Sequence, residues 1–347
     1  MEKGSSNSNY KVCVTGGAGY IGSSLIKKLL NQGCFVHATL RNLNDHSKVQ
    51  HLKGLNGAEE RLKLFEADMY KAEEFEPAIQ GCDFVFHVAT PMMHTEGHKY
   101  DNRVDATIDA ARSIAAACSR SGTVKRLIYT ASVMAASPLK DDIDGRSGFK
   151  EFMDETCWTP LNLSIAYQNN FLEEYTRAKT LSEKEILSSF DNSSSGGGME
   201  VVTLACGLVG GENTIPCMTG SVAVFLSPLT NDDFAYNSLK FLEELLAKIP
   251  IVHIEDVCNA HIFCMKQVSM SGRFLCANGY ASTADIASYY QKKYPQYSVK
   301  KEYLEGPKRE TKWGSSLLAE KGFEYEGHWN LVLDDCIGFA RKLEILS

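Results

Sequence analysis

The stretch TGGAGYIG, residues 15–22, joins a β-branched run, Lys11–Thr15 (KVCVT), to a segment with apolar side chains at Ile21, Leu25 and Leu29. The first reads as a strand and the second as a helix of 3.6-residue period. Inside the connection, Gly16, Gly19 and Gly22 recur every third residue. Small residues at a strand-to-helix turn let the backbone approach a pyrophosphate, which then lies on the helix N-terminus. Gly22 lets the helix pack closely on the strand. Glycine triplets are common in turns. One that follows the first strand directly and opens the first helix points to a dinucleotide site. Tyr20 and Ile21, which start the helix, belong to the same expected contact set.

Outward from this turn, strand and helix alternate. Phe35–Leu40 (FVHATL), Leu62–Ala67, Phe84–Ala89 (FVFHVA) and Leu127–Ala131 read as further strands, and the Ala-rich stretch Val104–Ser119 as a helix. Strands separated by helices predict an α/β fold, a Rossmann-type doubly wound parallel sheet with helices on both faces. Asp191–Gly198 (DNSSSGGG) reads as a loop by composition, and Val201–Ala205 as another core strand. Beyond Gly207 the alternation weakens, with a helix near Ser238–Lys248, a strand at Ile249–Ile254 and an amphipathic helix over Asn330–Leu346. We therefore expect a disordered leader over residues 1–9 and a nucleotide-binding domain over 10–206. A smaller mixed α/β lobe for substrate should cover 207–347, with segments such as 249–265 returning to the main sheet.

Composition narrows the function. The chain has 347 residues, 36 Lys plus Arg and 43 Asp plus Glu, for a net charge of −7. That charge argues against nucleic acid or an anionic membrane surface as partner. No apolar run reaches the ~18–20 residues of a membrane helix. Met1–Asn9 is polar and Ser-rich, unlike a secretory signal. The 11 Cys are dispersed without a CxxC pair. Such usage reads as reduced, mostly core thiols in a cytoplasmic protein.

The second strand ends His37-Ala38-Thr39-Leu40-Arg41-Asn42. An acid at this tip would bind the ribose 2′-hydroxyl of NAD, whereas Arg accommodates a 2′-phosphate. Arg41, with no acid before it and Lys48 at loop distance, therefore predicts NADP(H). Asp68 and Met69, after the third strand, are placed at the adenine.

Tyr175 and Lys179 are four apart and so share a helix face. A phenol of ordinary pKa ~10 passes a proton to a carbonyl oxygen more readily when a neighbouring ammonium stabilises its phenolate. The spacing recurs at Tyr236/Lys240, Tyr289/Lys293 and Tyr297/Lys301, all in the expected C-terminal lobe. Ser132 ends the fifth strand. The carboxyl ends of parallel strands face the ligand crevice, so Ser132 is expected to meet Tyr175 at the substrate oxygen as a second donor. Cys258, His261 and Cys264 have i, i+3, i+6 spacing but read as one half-buried helix face, and no metal is expected. His94-Thr95-Glu96-Gly97-His98 lacks the HExxH order and reads as a loop in which Met93 and His94 face substrate.

Taken together, TGGAGYIGSSLIKKLL, the LRN strand end, GCDFVFHVATP, VKRLIYTAS, DETCW, YTRAKTLSEK and IVHIEDVCNAHIF resemble the extended short-chain dehydrogenase/reductases. Within them the chain is similar to the plant dihydroflavonol, anthocyanidin, vestitone and cinnamoyl-CoA reductases, most of all to the anthocyanidin reductases. The resemblance implies a cytosolic NADPH-dependent reductase that passes hydride to a carbonyl, or a conjugated equivalent, of a flavonoid or related phenolic. It assigns Ser132, Tyr175 and Lys179 to catalysis. Gly16, Gly19 and Gly22 go to the phosphates and Arg41 and Lys48 to the 2′-phosphate. Val88, Ala89 and Thr90 line the adenosine and ribose. Two positions depart from the pattern. Cys206-Gly207-Leu208 stands where relatives carry Pro beside the nicotinamide, so Cys206 and Leu208 take that place. Ser137 stands where dihydroflavonol reductases carry an Asn that grips substrate. Asp141–Phe149 reads as an insertion near the pocket. Met92, Met93, Met134, Ile165, Tyr167 and Phe171 supply expected apolar walls for a flat aromatic or polycyclic ligand, with His94 and Ser137 beside them. Alternatives are a reductase of an alkaloid-like substrate, a nucleotide-sugar epimerase or dehydratase, and a non-catalytic NADP-binding regulator.

Overall fold

The computed structural model describes residues 10–92, 99–140, 148–162, 164–191 and 198–346. The expected disordered leader, Met93 and His94, and most of the expected insertion and of the Ser/Gly loop lie outside the described residues.

Among the described residues twelve strands form: β1 (Lys11–Thr15), β2 (Phe35–Leu40), β3 (Leu62–Glu66), β4 (Phe84–His87), β5 (Arg126–Ser132), β6 (Phe152–Met153), β7 (Glu200–Cys206), β8 (Leu208–Gly210), β9 (Ile249–His253), β10 (Gly272–Cys276), β11 (Gly279–Ala281) and β12 (Lys312–Trp313). Seven of them make one sheet in the order β10-β7-β5-β4-β1-β2-β3. Pairing is parallel between β1 and β2, β1 and β4, β2 and β3, and β4 and β5. Helices Tyr20–Asn31 and Arg103–Ser121 separate these strands. This is the expected Rossmann-type α/β fold. Strands buried on both faces read as continuous apolar runs, and β4 and β5 are buried at every residue.

The chain divides into two units. The first gathers the residues up to Thr130, Leu181–Thr203 and His261–Gly272. The second gathers Ala131–Thr180, Leu204–Ala260 and the residues from Arg273 onward. This division departs from a single boundary at residue 206, because several elements begin in one unit and end in the other. The returning segment also differs from expectation. It is β10 that joins the seven-stranded sheet, whereas β9 lies in a three-stranded sheet, β11-β9-β8. There β9 pairs parallel to β8 and antiparallel to β11.

In the first unit Val12, Val14, Leu25, Leu29, Val36, Ala38, Val85 and Phe86 are wholly buried. Leu25 and Leu29 are thus the core face read from the helical period. Arg126 is buried with them, its guanidinium on the Glu200 carboxylate and on the carbonyls of Cys264, Met265 and Gln267. Burial pushes the Glu200 pKa up, but bonds from Ser269 and Arg126 outweigh it and hold the carboxyl below its ordinary value. In the second unit the helix Trp329–Lys342 packs on Gly210, where an added Cβ would meet Val332 at 2.4 Å and Cys336 at 2.9 Å. Among the described residues no helix is long and apolar enough to cross a membrane. Ten of the cysteines are buried and Cys217 is exposed.

Candidate active site

The glycine turn of the first unit is backbone lying on backbone. Gly16 has φ +70°, and an added Cβ would sit 2.9 Å from Ala89 Cα. At Gly22 an added Cβ would lie 2.2 Å from the Gly16 carbonyl oxygen. The Gly19 amide donates to that same carbonyl at 3.0 Å, and the Gly17 amide to Thr39 O at 2.8 Å. Gly19 caps the helix Tyr20–Asn31 without a side chain, and its first turn carries no acid. The positive end of that helix is therefore left for an anion.

Thr15 organises the facing strand end. Its Oγ1 accepts the Val88 and Ala89 amides, both at 3.0 Å. With both lone pairs used, the hydroxyl donates to His87 Nδ1 at 2.9 Å. Val88 and Ala89 are thereby fixed against the glycine turn. Thr90 Oγ1 is buried with no hydrogen-bond partner among the described residues, so a polar group of a ligand would satisfy it. Both the cradle that a Cβ would fill and this hydroxyl fit a dinucleotide. Sequence reasoning missed Thr15, whose hydroxyl looks in one dimension like any strand-end threonine.

Arg41 follows β2 and is exposed. Its turn is fixed by the Leu43 amide on Glu66 Oε2 (2.9 Å) and the Asn44 amide on Asn42 Oδ1 (2.8 Å). Lys48 is less available than its sequence position implies. Its ammonium lies 2.7 Å from Asp45, which also caps the helix His46–Lys53. Hydrogen bonds from Lys48 and Ser47 hold the Asp45 carboxyl down at about 2. The signal for this pairing was an Asp at an N-cap, three residues before the Lys. Asp68 uses Oδ1 for the Tyr70 amide at 3.0 Å, and Met69 is buried.

In the second unit, Ser132 ends β5 with its side chain nearly buried, and its Oγ accepts the Met134 amide at 3.2 Å. It thereby caps a single 3₁₀ turn, Val133–Ala135. Tyr175 and Lys179 lie on the helix Asn170–Asp191. Phe171, Tyr175 and Lys179 share one face. The Phe171 and Tyr175 rings are stacked at 6.2 Å and 14°, and Lys179 Nζ is 6.0 Å from the Tyr175 ring centroid. Lys179 is only 3% exposed, whereas Tyr175 is half-buried. An ammonium so shielded from water acts strongly on a neighbouring phenol.

The other Tyr/Lys pairs have the spacing without the environment. Burial raises the Tyr289 pKa, and its hydroxyl bonds Asp334 at 2.7 Å. Lys293 sits 2.6 Å from the same carboxylate and donates to the Tyr289 hydroxyl at 3.0 Å, but unlike Lys179 it is exposed to solvent. Tyr236 is also raised by burial, stacked 3.8 Å from Tyr303. Tyr297 accepts from Arg341 Nε at 3.1 Å. Of the cluster that resembles metal ligands, His261 Nε2 meets Thr130 Oγ1 at 2.7 Å.

The expected substrate residues divide. Met134 is buried in the turn beside Ser132, and Phe171 stacks on Tyr175. Tyr167 is 48% exposed with φ 62°, a left-handed backbone uncommon for a bulky side chain. Cys206 is buried, its Sγ 3.5 Å from Leu204 O, and Leu208 opens β8 half-buried. Ser137 is wholly buried, and its hydroxyl donates its one proton to Leu245 O and accepts the Leu139 amide at 3.1 Å, which leaves it no proton for a ligand.

Residues 13–292 match the 3-beta hydroxysteroid dehydrogenase/isomerase family. The chain belongs to that family. Membership agrees with the resemblance to extended short-chain dehydrogenase/reductases, and this family member is an oxidoreductase. It is similar to a putative anthocyanidin reductase of Ginkgo biloba, 33% identical over 97% of this chain and 96% of that one. A dihydroflavonol 4-reductase of Arabidopsis thaliana is 32% identical over 91% and 78% of the two chains. Among solved structures, vestitone reductase from alfalfa superposes with TM-score 0.76 at 29% identity, covering 97% of this chain and 100% of that one.

Proposed function

We propose that this chain is a cytosolic, NADPH-dependent reductase of a flavonoid or related flat phenolic, acting on a carbonyl or its conjugated equivalent. The likeness to anthocyanidin and dihydroflavonol reductases over nearly the whole chain supports the substrate class. The observation that carries the reading is the half-buried Tyr175 beside the buried ammonium of Lys179.

The glycine turn would hold the pyrophosphate, Val88, Ala89 and Thr90 the adenosine side, and Arg41 the 2′-phosphate. Bound NADPH supplies the hydride. Tyr175 gives its phenolic proton to the substrate oxygen, and the Lys179 ammonium stabilises the phenolate left behind. Ser132 already accepts the Met134 N–H, so its own proton is directed elsewhere, toward the oxygen on which charge develops. Phe171, stacked on Tyr175, gives an aromatic substrate a ring to lie against.

The test is NADPH consumption over a panel of anthocyanidins, dihydroflavonols, isoflavanones and aliphatic aldehydes, with products identified. Aromatic substrates should dominate. Because Ser137 is committed internally, dihydroflavonols should rank below the best of them. An aliphatic aldehyde as best substrate would overturn the proposal.

Cofactor choice has its own test. Arg41→Ala should weaken NADPH by about 10–100-fold, the ~1–3 kcal/mol of a charge-assisted phosphate contact. NADH should be nearly unaffected. Fluorescence titration of both cofactors reads this without turnover, and equal losses would remove Arg41 from the 2′-phosphate.

A further inference from the structure

The 3₁₀ turn Val133–Ala135 is gripped from both ends. At its start Ser132 Oγ accepts the Met134 amide. At its other end Thr159 Oγ1 donates to Met134 O at 2.6 Å and accepts the Ser137 amide at 2.9 Å. The Thr159 amide donates to Ala135 O at 3.1 Å. Arg273 Nη2 donates to that same carbonyl at 3.1 Å. Its Nη1 donates to the carbonyls of Glu155 (2.8 Å) and Cys157, while the guanidinium carbon sits over Trp158, 3.7 Å from the ring centroid. The 155–158 segment is itself tied down, since Glu155 Oε1 accepts the Leu275 amide at 3.1 Å and the Ser315 hydroxyl. Thr159, Ser137, Ala135 and Cys157 are all at most 2% exposed.

We infer that Thr159 and Arg273 are positioning residues for Ser132. They fix the two carbonyls of the turn whose amide Ser132 accepts, and so fix which way the Ser132 proton points. A serine hydroxyl has one donor and two acceptor positions. An N–H held on one lone pair removes the rotamers in which the proton would turn back to the chain. If the turn shifts, that N–H leaves and the direction of the hydroxyl donor is lost even though Ser132 is intact. Lysine cannot replace Arg273, because one ammonium does not reproduce a planar fork serving three carbonyls. This inference rests on Ser132 acting as a donor in the proposed reaction.

The experiment uses the full chain, NADPH and whichever carbonyl of the panel above the wild type reduces fastest. Ser132→Ala, Thr159→Val, Thr159→Ser, Arg273→Lys and the double variant Ser132→Ala/Thr159→Val are compared for kcat, KM and NADPH binding. Thr159→Val and Arg273→Lys should each lower kcat about tenfold or more, a loss typical of misplaced catalytic geometry, with NADPH affinity kept. Thr159→Ser should restore most of the rate. In the Ser132→Ala background Thr159→Val should cost almost nothing further. The same loss in both backgrounds would make Thr159 merely structural and overturn the inference. An active Ser132→Ala enzyme, or a wild type that reduces nothing in the panel, would instead overturn the catalytic reading beneath it.

Discussion

Tyr175→Phe should lower kcat by about 10²–10⁴-fold, the range that a positioned general acid supplies. NADPH affinity should stay within about twofold of wild type, because the change removes one oxygen and keeps the ring stacked on Phe171. The phenylalanine has no proton to give. Lys179→Ala should damage both turnover and NADPH binding, since we propose that its ammonium holds the nicotinamide ribose as well as stabilising the phenolate. The control is Tyr289→Phe. Tyr289 stands four residues before a lysine just as Tyr175 does, but burial and a bond to Asp334 accompany a raised pKa, so its loss should leave kcat unchanged. Steady-state turnover and cofactor titration on the two variants decide the matter. A Tyr289→Phe enzyme as impaired as Tyr175→Phe would relocate the active site.

That contrast shows how far the sequence reaches. Four YxxxK pairs were visible, and position along the chain singled out Tyr175. What separates them physically is burial of the lysine and the charge beside the phenol, and neither is written in a four-residue spacing. Strands were legible because their apolar, β-branched runs are local. Lys11–Thr15 and Phe35–Leu40 match β1 and β2 residue for residue. Which strand returns to the sheet depends on long-range pairing, so the sequence cannot tell a return over 249–265 from the return that β10 makes. The Ser137 hydrogen bond was illegible for the same reason. Its partner, Leu245 O, is 108 residues away, and family spacing alone cannot show a hydroxyl already spent on a distant carbonyl.

The features that position the site were the least legible. Thr15, Thr159 and Arg273 act through backbone carbonyls and amides, which every residue carries and no side-chain pattern announces. Asp45 was legible in principle as a helix cap. Its carboxylate engages the Lys48 ammonium, which is why the discrimination test rests on Arg41.

Gly22→Ala should lower the melting temperature and abolish measurable NADPH binding at concentrations that saturate the wild type. The added Cβ would lie 2.2 Å from the Gly16 carbonyl oxygen and 3.2 Å from Gly17 Cα. Both are backbone atoms, so no flexible side chain can move aside. Overpacking of this kind costs ~1–3 kcal/mol or more. Here relief requires the turn to move away from the helix N-terminus, which is the surface a pyrophosphate needs. A tenfold weaker affinity corresponds to only ~1.4 kcal/mol, well within the range of that strain. Gly338→Ala is the matched control. Gly338 lies inside the helix Trp329–Lys342 with nothing within 4 Å of an added Cβ. There the same methyl should stabilise by ~0.5–1 kcal/mol through helix propensity and leave NADPH binding alone. Thermal melts and fluorescence titration on the two variants read both effects. A Gly22→Ala protein that binds NADPH like the wild type would take the cofactor away from the glycine turn.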